Sequence, residues 1–410
     1  MKSDVDVVVV GAGSAGLSAA KAILAQGRTV QVLEAKDRIG GRATTLDLSG
    51  MPWDPGAYWL HHSEDNFFTK YAAESGVQFD EMPRSSRMWT ATGWADEAIM
   101  AERDAYFDAA FEAIDKMGAA GVDVPASEVI PTHPRFQSMF STWSAALSGA
   151  EPEFCSTLDQ SRYRDGVNLR VKPGYGALLA AYGADVPVAL STPVERIVWD
   201  KSGVRVETIK GAITCRAIIV TASTAVLARG GIKFEPALPA AYQDALERLP
   251  LGTAEKVALA FDRDVFGLAD NSHVQFEHQG EETVRFQIKP GGYHIAIGYL
   301  AGRFAEQLEK QGTAAMVDFA EGQLVKAFGA DIRKARIGED TSHWRSDPYI
   351  GGGYSYAVPG AAGVRDTLTN PINERIFFAG EACSLPHFGT VNGANETGFA
   401  AAAAVLLALT

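Results

Sequence analysis

The feature that most constrains this chain is a run of β-branched residues that breaks on glycine. Val5-Asp6-Val7-Val8-Val9-Val10 leads straight into Gly11-Ala12-Gly13-Ser14-Ala15-Gly16. Valines in near-unbroken succession predict a parallel strand buried on both faces. The alanine-rich stretch from Leu17 to Gln26 then predicts a helix. In that setting G-x-G-x-x-G is a dinucleotide fingerprint. Gly11 allows the tight turn, Gly13 lets backbone approach a pyrophosphate, and Gly16 lets helix pack close on strand. Ser14 and Ala15 open a helix whose free N–H groups and positive dipole end suit phosphate. A second strand, Thr29 to Leu33, ends at Glu34, an acid placed for the hydroxyls of an adenine-side ribose. A bare strand–helix turn would leave that acid unexplained.

Composition bounds the rest. A chain of 410 residues is long enough for two domains or one large composite. A net charge of −13 argues against a nucleic-acid partner and is compatible with a cationic substrate or with plain solubility. The three cysteines, Cys155, Cys215 and Cys383, are dispersed and odd in number, and the eight histidines show no ligand spacing. That pattern predicts a reducing, cytoplasmic location and no metal site. No signal peptide precedes the first strand, and the apolar run Phe399–Leu409 is too short for a bilayer, so no membrane anchor is expected.

After Glu34 the chain reads Ala35-Lys36-Asp37-Arg38-Ile39-Gly40-Gly41-Arg42. An acid, a basic residue and a Gly-Gly-Arg turn resemble the flavin-containing amine oxidase superfamily. Further matches are Gly56-Ala57-Tyr58-Trp59, Pro250-Leu251-Gly252 followed by Lys256, Trp344 to Tyr354, and Phe378-Ala379-Gly380-Glu381 with the helix start after Thr390-Val391. The resemblance implies an α/β fold with FAD as cofactor. A Rossmann-like FAD-binding domain (GR2 type) would comprise residues 1–84, 172–235 and 346–410. Interleaved with it would be a substrate domain of mixed sheet plus helices: a helical insertion, 85–171, and a section of sheet and helices, 236–345. It also implies that Gly11, Gly13, Ser14, Ala15, Gly16, Glu34, Ala35, Lys36, Gly41, Arg42, Gly56, Ala57, Tyr58, Trp59, Val194, Gly380, Glu381, Thr390 and Val391 contact the cofactor.

Lys256 has support of its own. From Lys256 to Phe261 the residues alternate, with Lys256, Ala258 and Ala260 on one strand face and Val257, Leu259 and Phe261 on the other. A lysine heading a face of small residues has room to enter a cavity. In the family that lysine holds a water against flavin N5. Trp344 matches a tryptophan beside the flavin, Tyr354 the first of two cage tyrosines, and Thr390 the second cage position. Asn392 stands where polyamine oxidases often carry histidine, which argues against a strict polyamine assignment. Gly353 occupies the position of the flavin-linking cysteine of covalent members, so FAD is expected to bind noncovalently.

The resemblance thus implies oxidation of a primary or secondary amine to an imine, with O2 reduced to H2O2. The alternatives are L-amino-acid oxidation or C–C desaturation on the same fold, or a flavoprotein without catalysis, for which loss of the lysine or of the aromatic wall would be the sign. An amino-acid oxidase needs an arginine for the carboxylate; Arg84, Arg87, Arg135 and Arg170 are candidates. The aromatics Tyr106, Phe107, Phe111, Phe136, Phe140, Trp143, Phe154 and Tyr163 are expected mainly as core, some as a tunnel lining. Homodimerisation stays open.

Overall fold

The computed structural model describes residues 3–81, 85–164 and 166–410. Val5–Val10 lies inside an eight-stranded sheet, parallel to Val30–Leu33 on one side and to Gly211–Val220 on the other. Val7, Val8 and Val9 are fully covered. Each contributes on the order of 1.5–3 kcal/mol of burial. Val7 and Val9 face the helices Ser14–Ala25 and Val391–Ala408. Val8 and Val10 face a second layer around Trp199, Leu246 and Phe378. The short strand Ile376–Phe378 pairs in parallel with the end of Gly211–Val220. The carboxy-terminal stretch therefore completes the sheet that the first strand begins.

A second sheet of seven strands runs in the order Arg336–Thr341, Ala254–Phe261, Ile295–Ala301, Arg285–Ile288, Ser272–Phe276, Ser86–Thr90, Gly93–Trp94. One face carries Val257, Leu259, Phe286 and Ile288 and is covered by the helices Gly302–Gln311 and Thr313–Phe328. The other face carries Ala258, Ala260, Ile295 and Ile297 and packs on Trp53 and Tyr58. The alternation expected around Lys256 is the alternation observed.

Residues 85–171 are not all helix. Ser86–Thr90 and Gly93–Trp94 form a hairpin that extends the second sheet. The helix Glu97–Ala119 starts earlier than its apolar periodicity suggests, because the Asp96 side chain caps it at Ile99 N. Between Phe154 and Tyr163 a continuous helix is expected; instead a turn at Pro152–Phe154 precedes a separate short helix, Thr157–Gln160. Cys155 is extended and Ser156 caps a new start at Asp159 N, which breaks the helix there. Tyr106, Phe136 and Phe140 form a buried cluster with Phe107 and Phe111 at its edge, while Phe154 lies exposed. Among the described residues no helix is long and apolar enough to cross a membrane.

Candidate active site

The glycine turn after Val10 is shaped to receive a ligand. Gly11 has φ +100°, and a Cβ there would meet Thr221 Oγ1 at 2.4 Å. A Cβ on Gly16 would lie 1.9 Å from Gly11 O, so the helix can sit on the turn only without one. Gly13 differs: its nearest neighbour would be Gly41 Cα at 4.0 Å, which leaves open space before it. The helix has no side-chain cap at Gly13, so its first N–H groups are available to an anion. Glu34, buried at the end of its strand, accepts from Ala12 N at 2.7 Å and Lys36 N at 2.9 Å. Each oxygen keeps spare lone-pair capacity for a hydroxyl donor. A dinucleotide fits this cradle.

The other end of the chain closes the groove. Ser14 Oγ donates to Val391 O at 2.8 Å, and Asn395 Nδ2 to Ser18 Oγ at 2.6 Å. Arg42 reaches across to Gly353 O (2.5 Å) and to Glu381 Oε1 (3.0 Å). Glu381 is buried and also takes Ser355 N, Ser355 Oγ and Gly389 N. Burial opposes its charge, but Arg42 and Arg365 beside it prevail and hold its carboxyl below the usual range. Arg365, fully buried, forks onto Asp159 at 2.7 and 2.8 Å and donates to Ser355 Oγ at 2.8 Å. Neither Asp159 nor Arg365 was legible as part of this brace. Gly380 has open space where a Cβ would be. Lys36 turns to Asp347. Val194 is buried at the start of its strand, and Ala35 and Val391 are half-buried.

Lys256 enters the site from the second sheet. Its Nζ donates to Asp54 O at 3.0 Å and Gly56 O at 2.5 Å. It lies 5.1 Å from the centre of the Tyr58 ring and 5.2 Å from that of Tyr299. Among the described residues no carboxylate pairs with it directly. Burial pushes its ammonium down to about 7, with Asp54 partly offsetting this. Asp54 is itself buried, which raises its carboxyl, while Thr45 and the N–H groups of Tyr175 and Gly176 hold it down. It thereby ties the Gly56 turn to the start of the helix Tyr175–Gly183.

Trp344 packs against that turn. A Cβ on Gly56 would meet its ring at 3.0 Å and Arg42 O at 1.8 Å, and Trp344 Nε1 donates to Pro55 O at 3.0 Å. Ala57 N donates to Arg42 O at 2.9 Å. Trp344 N and Arg345 N both donate to Glu255 Oε1, at 2.8 and 3.0 Å. Tyr354 donates its hydroxyl to Ala146 O, in the helix Gln137–Ser148. Trp59 stacks near His273, with ring centres 6.3 Å apart. The Thr390 hydroxyl donates to His387 O and accepts from Gly393 N, so it serves as the cap of the last helix. Asn392 accepts from Phe67 N and donates to Glu396.

Of the four arginines named for a carboxylate, Arg135 pairs with Glu277, Arg170 with Asp80, and Arg87 stacks over Trp94. Arg84 lies outside the described residues.

A family model described as flavin containing amine oxidoreductase matches residues 14–127 and 132–406. The chain belongs to this family. Curated relatives agree: polyamine oxidase 4 of Oryza sativa subsp. japonica is 27% identical, over 97% of this chain and 87% of its own. A lysine-specific histone demethylase 1 homolog of Arabidopsis thaliana is 26% identical over 98% of this chain and 52% of its own. Among solved structures, cyclohexylamine oxidase from Brevibacterium oxydans IH-35A superposes with a TM-score of 0.82 at 25% identity, covering 99% of both chains. As a flavin amine oxidoreductase, the chain is an FAD-dependent oxidoreductase acting on CH–NH bonds.

Proposed function

We propose that the chain is an FAD-dependent amine oxidase that converts a primary or secondary amine to an imine, which water then hydrolyses to a carbonyl product, with O2 reduced to H2O2. The observation that carries this reading is Lys256, buried and bonded to the carbonyls of Asp54 and Gly56 beside Trp344 and the rings of Tyr58 and Tyr299. Gly11, Gly13, Ser14, Ala15, Gly16 and Glu34 would hold the dinucleotide half of FAD, and Arg42 and Gly56 the approach to its ring. Bound there, FAD supplies the redox chemistry by accepting a hydride equivalent from the carbon that bears the amine.

The protein's own part is positioning and dryness. With two of its hydrogen-bonding directions spent on carbonyls, Lys256 Nζ has one left to hold a water. Trp344 and Tyr354 shape the walls. An amine bound uncharged needs no strong protein base. FAD would be held without a covalent link: a Cβ on Gly353 would already meet Ala254 Cβ at 2.8 Å, and all three thiols are buried. Three free cysteines also fit a reducing compartment, which favours the cytoplasm.

The test is anaerobic mixing of the yellow protein with a panel of amines. Bleaching of the flavin, followed by peroxide on admitting air, is the expected result. Protein that stays colourless after incubation with FAD would overturn the proposal.

A further inference from the structure

Lys256 does not stand alone on its sheet face. It pairs with Tyr299 on the neighbouring strand, and Tyr299 pairs with Arg285 on the next. Partners in register share a face. Lys256, Tyr299 and Arg285 therefore form one row, with Arg285 about 10 Å from Lys256, two strand spacings away. The Arg285 guanidinium lies 3.2 Å from the centre of the Trp143 ring. Trp143 sits on the same helix whose Ala146 carbonyl receives the Tyr354 hydroxyl. Arg285 thus stands on the sheet face that carries Lys256, against the helix that holds Tyr354.

Arg285 has no counter-ion and no hydrogen-bond acceptor for its guanidinium among the described residues. The charges around it do not neutralise it. Arg103 adds a second positive charge, with Asp104 as its partner and its Nη1 buried without an acceptor. Tyr299 is a neutral phenol whose ionisation burial disfavours. His273 is held uncharged, pushed down to about 4 by burial and by Arg285. Burial likewise pushes Arg285 down, to about 9, so its charge is costly where it stands. It is nonetheless only half-buried, so part of it is left uncovered by packed chain. A planar donor fork held flat on a ring, with its edge open, matches a carboxylate.

We propose that Arg285, stacked on Trp143 two strands from Lys256, binds a carboxylate of the substrate, so that the amine oxidised is an amino acid rather than a simple amine or a polyamine. This rests on the amine-oxidase reading above and names its substrate class. The carboxylate lies at the Arg285 end of the row and the amine at the Lys256 end. Arg285 is a specificity residue, and of the arginines named from the sequence the three described, Arg87, Arg135 and Arg170, are engaged elsewhere.

The experiment compares matched pairs: L-phenylalanine with phenethylamine, and 6-aminohexanoate with hexylamine. In each case anaerobic flavin reduction is followed for the native enzyme, Arg285→Lys and Arg285→Gln. The native enzyme is expected to favour the carboxylate member of one pair by about tenfold or more in kcat/KM, a preference that Arg285→Gln abolishes and Arg285→Lys partly restores. Which pair responds says whether the carboxylate sits beside the reacting carbon or several bonds away. Calorimetry on the native holoenzyme gives a measure independent of the variants: benzoate should bind about tenfold or more tighter than its neutral isostere benzamide. Equal binding of the two, or an unchanged preference in Arg285→Gln, overturns the carboxylate assignment. If neutral amines alone bleach the flavin, amine oxidation stands and this proposal falls. If no member of either pair does, both fall.

Discussion

Gly398 of the last helix lies directly against Ala15 of the first, so close that a Cβ on Gly398 would come within 2.3 Å of Ala15 O. Backbone meets backbone there, and neither partner can move aside as a flexible side chain could. Gly398→Ala is expected to cost about 1–3 kcal/mol. Because Ser14 and Val391 bridge the same two helices, the loss should appear as a lower denaturation midpoint together with less flavin retained after gel filtration. A midpoint and flavin content equal to the native protein's would show that the helix contact is dispensable.

Lys256→Met keeps the length of the side chain and removes the amine that bonds Asp54 O and Gly56 O. Stopped-flow absorbance should show flavin reduction or its reoxidation slowed by about tenfold or more. A group titrating at about 7 should also vanish from the pH profile of that phase. Stability gives an independent readout. A lysine whose proton is lost at about 7 in the folded chain, against roughly 10.4 unfolded, makes the native protein gain stability as pH rises between those values. Lys256→Met should lose that gain.

Glu381→Gln removes the anion that Arg42 and Arg365 share. Arg365 keeps Asp159, so the loss falls on Arg42 and on the hydrogen bonds from Ser355 and Gly389, about 1–3 kcal/mol. The native carboxyl titrates below its usual range, so its contribution is present above the unfolded value and drains away as pH falls through the folded one. Urea melts at neutral and acid pH should therefore converge for the two proteins at the acid end. A constant gap would separate Glu381 from the effect.

Glu255 behaves in the opposite sense. Burial, with Glu309 adding to it, pushes its carboxyl up to about 7 against the pull of Ser342, Trp344 N and Arg345 N. The folded chain then holds a proton that the unfolded chain releases near 4.3. Stability falls as pH rises from about 4.5 to about 7. Glu255→Gln should flatten that slope, and the native protein should lose roughly 1–3 kcal/mol relative to it between about pH 5 and pH 8. Parallel pH profiles of the thermal midpoint would count against the raised carboxyl.

Much of the architecture was legible because its signals are local. The valine run and its glycine break announce a buried strand and a tight turn. The strand Ala254–Phe261 shows its two faces in the spelling alone. What escaped depends on register between distant strands or on remote caps. Nothing near Arg285 announces that Tyr299 will bring it into line with Lys256. Asp54 looks like a turn residue until it is seen holding the start of a helix more than a hundred positions away. Thr390, read from the family pattern as one side of an amine cage, has its hydroxyl engaged in starting the last helix.

The bond from Ser14 to Val391 also bears on how such a protein is made. The ribosome releases the fingerprint turn long before the helix that covers it, residues 391–408. Until then the first helix lacks the partner that packs on it. Sealing of the turn must therefore wait until residues 391–408 are made, and chaperone occupancy of the first helix would be its natural prelude.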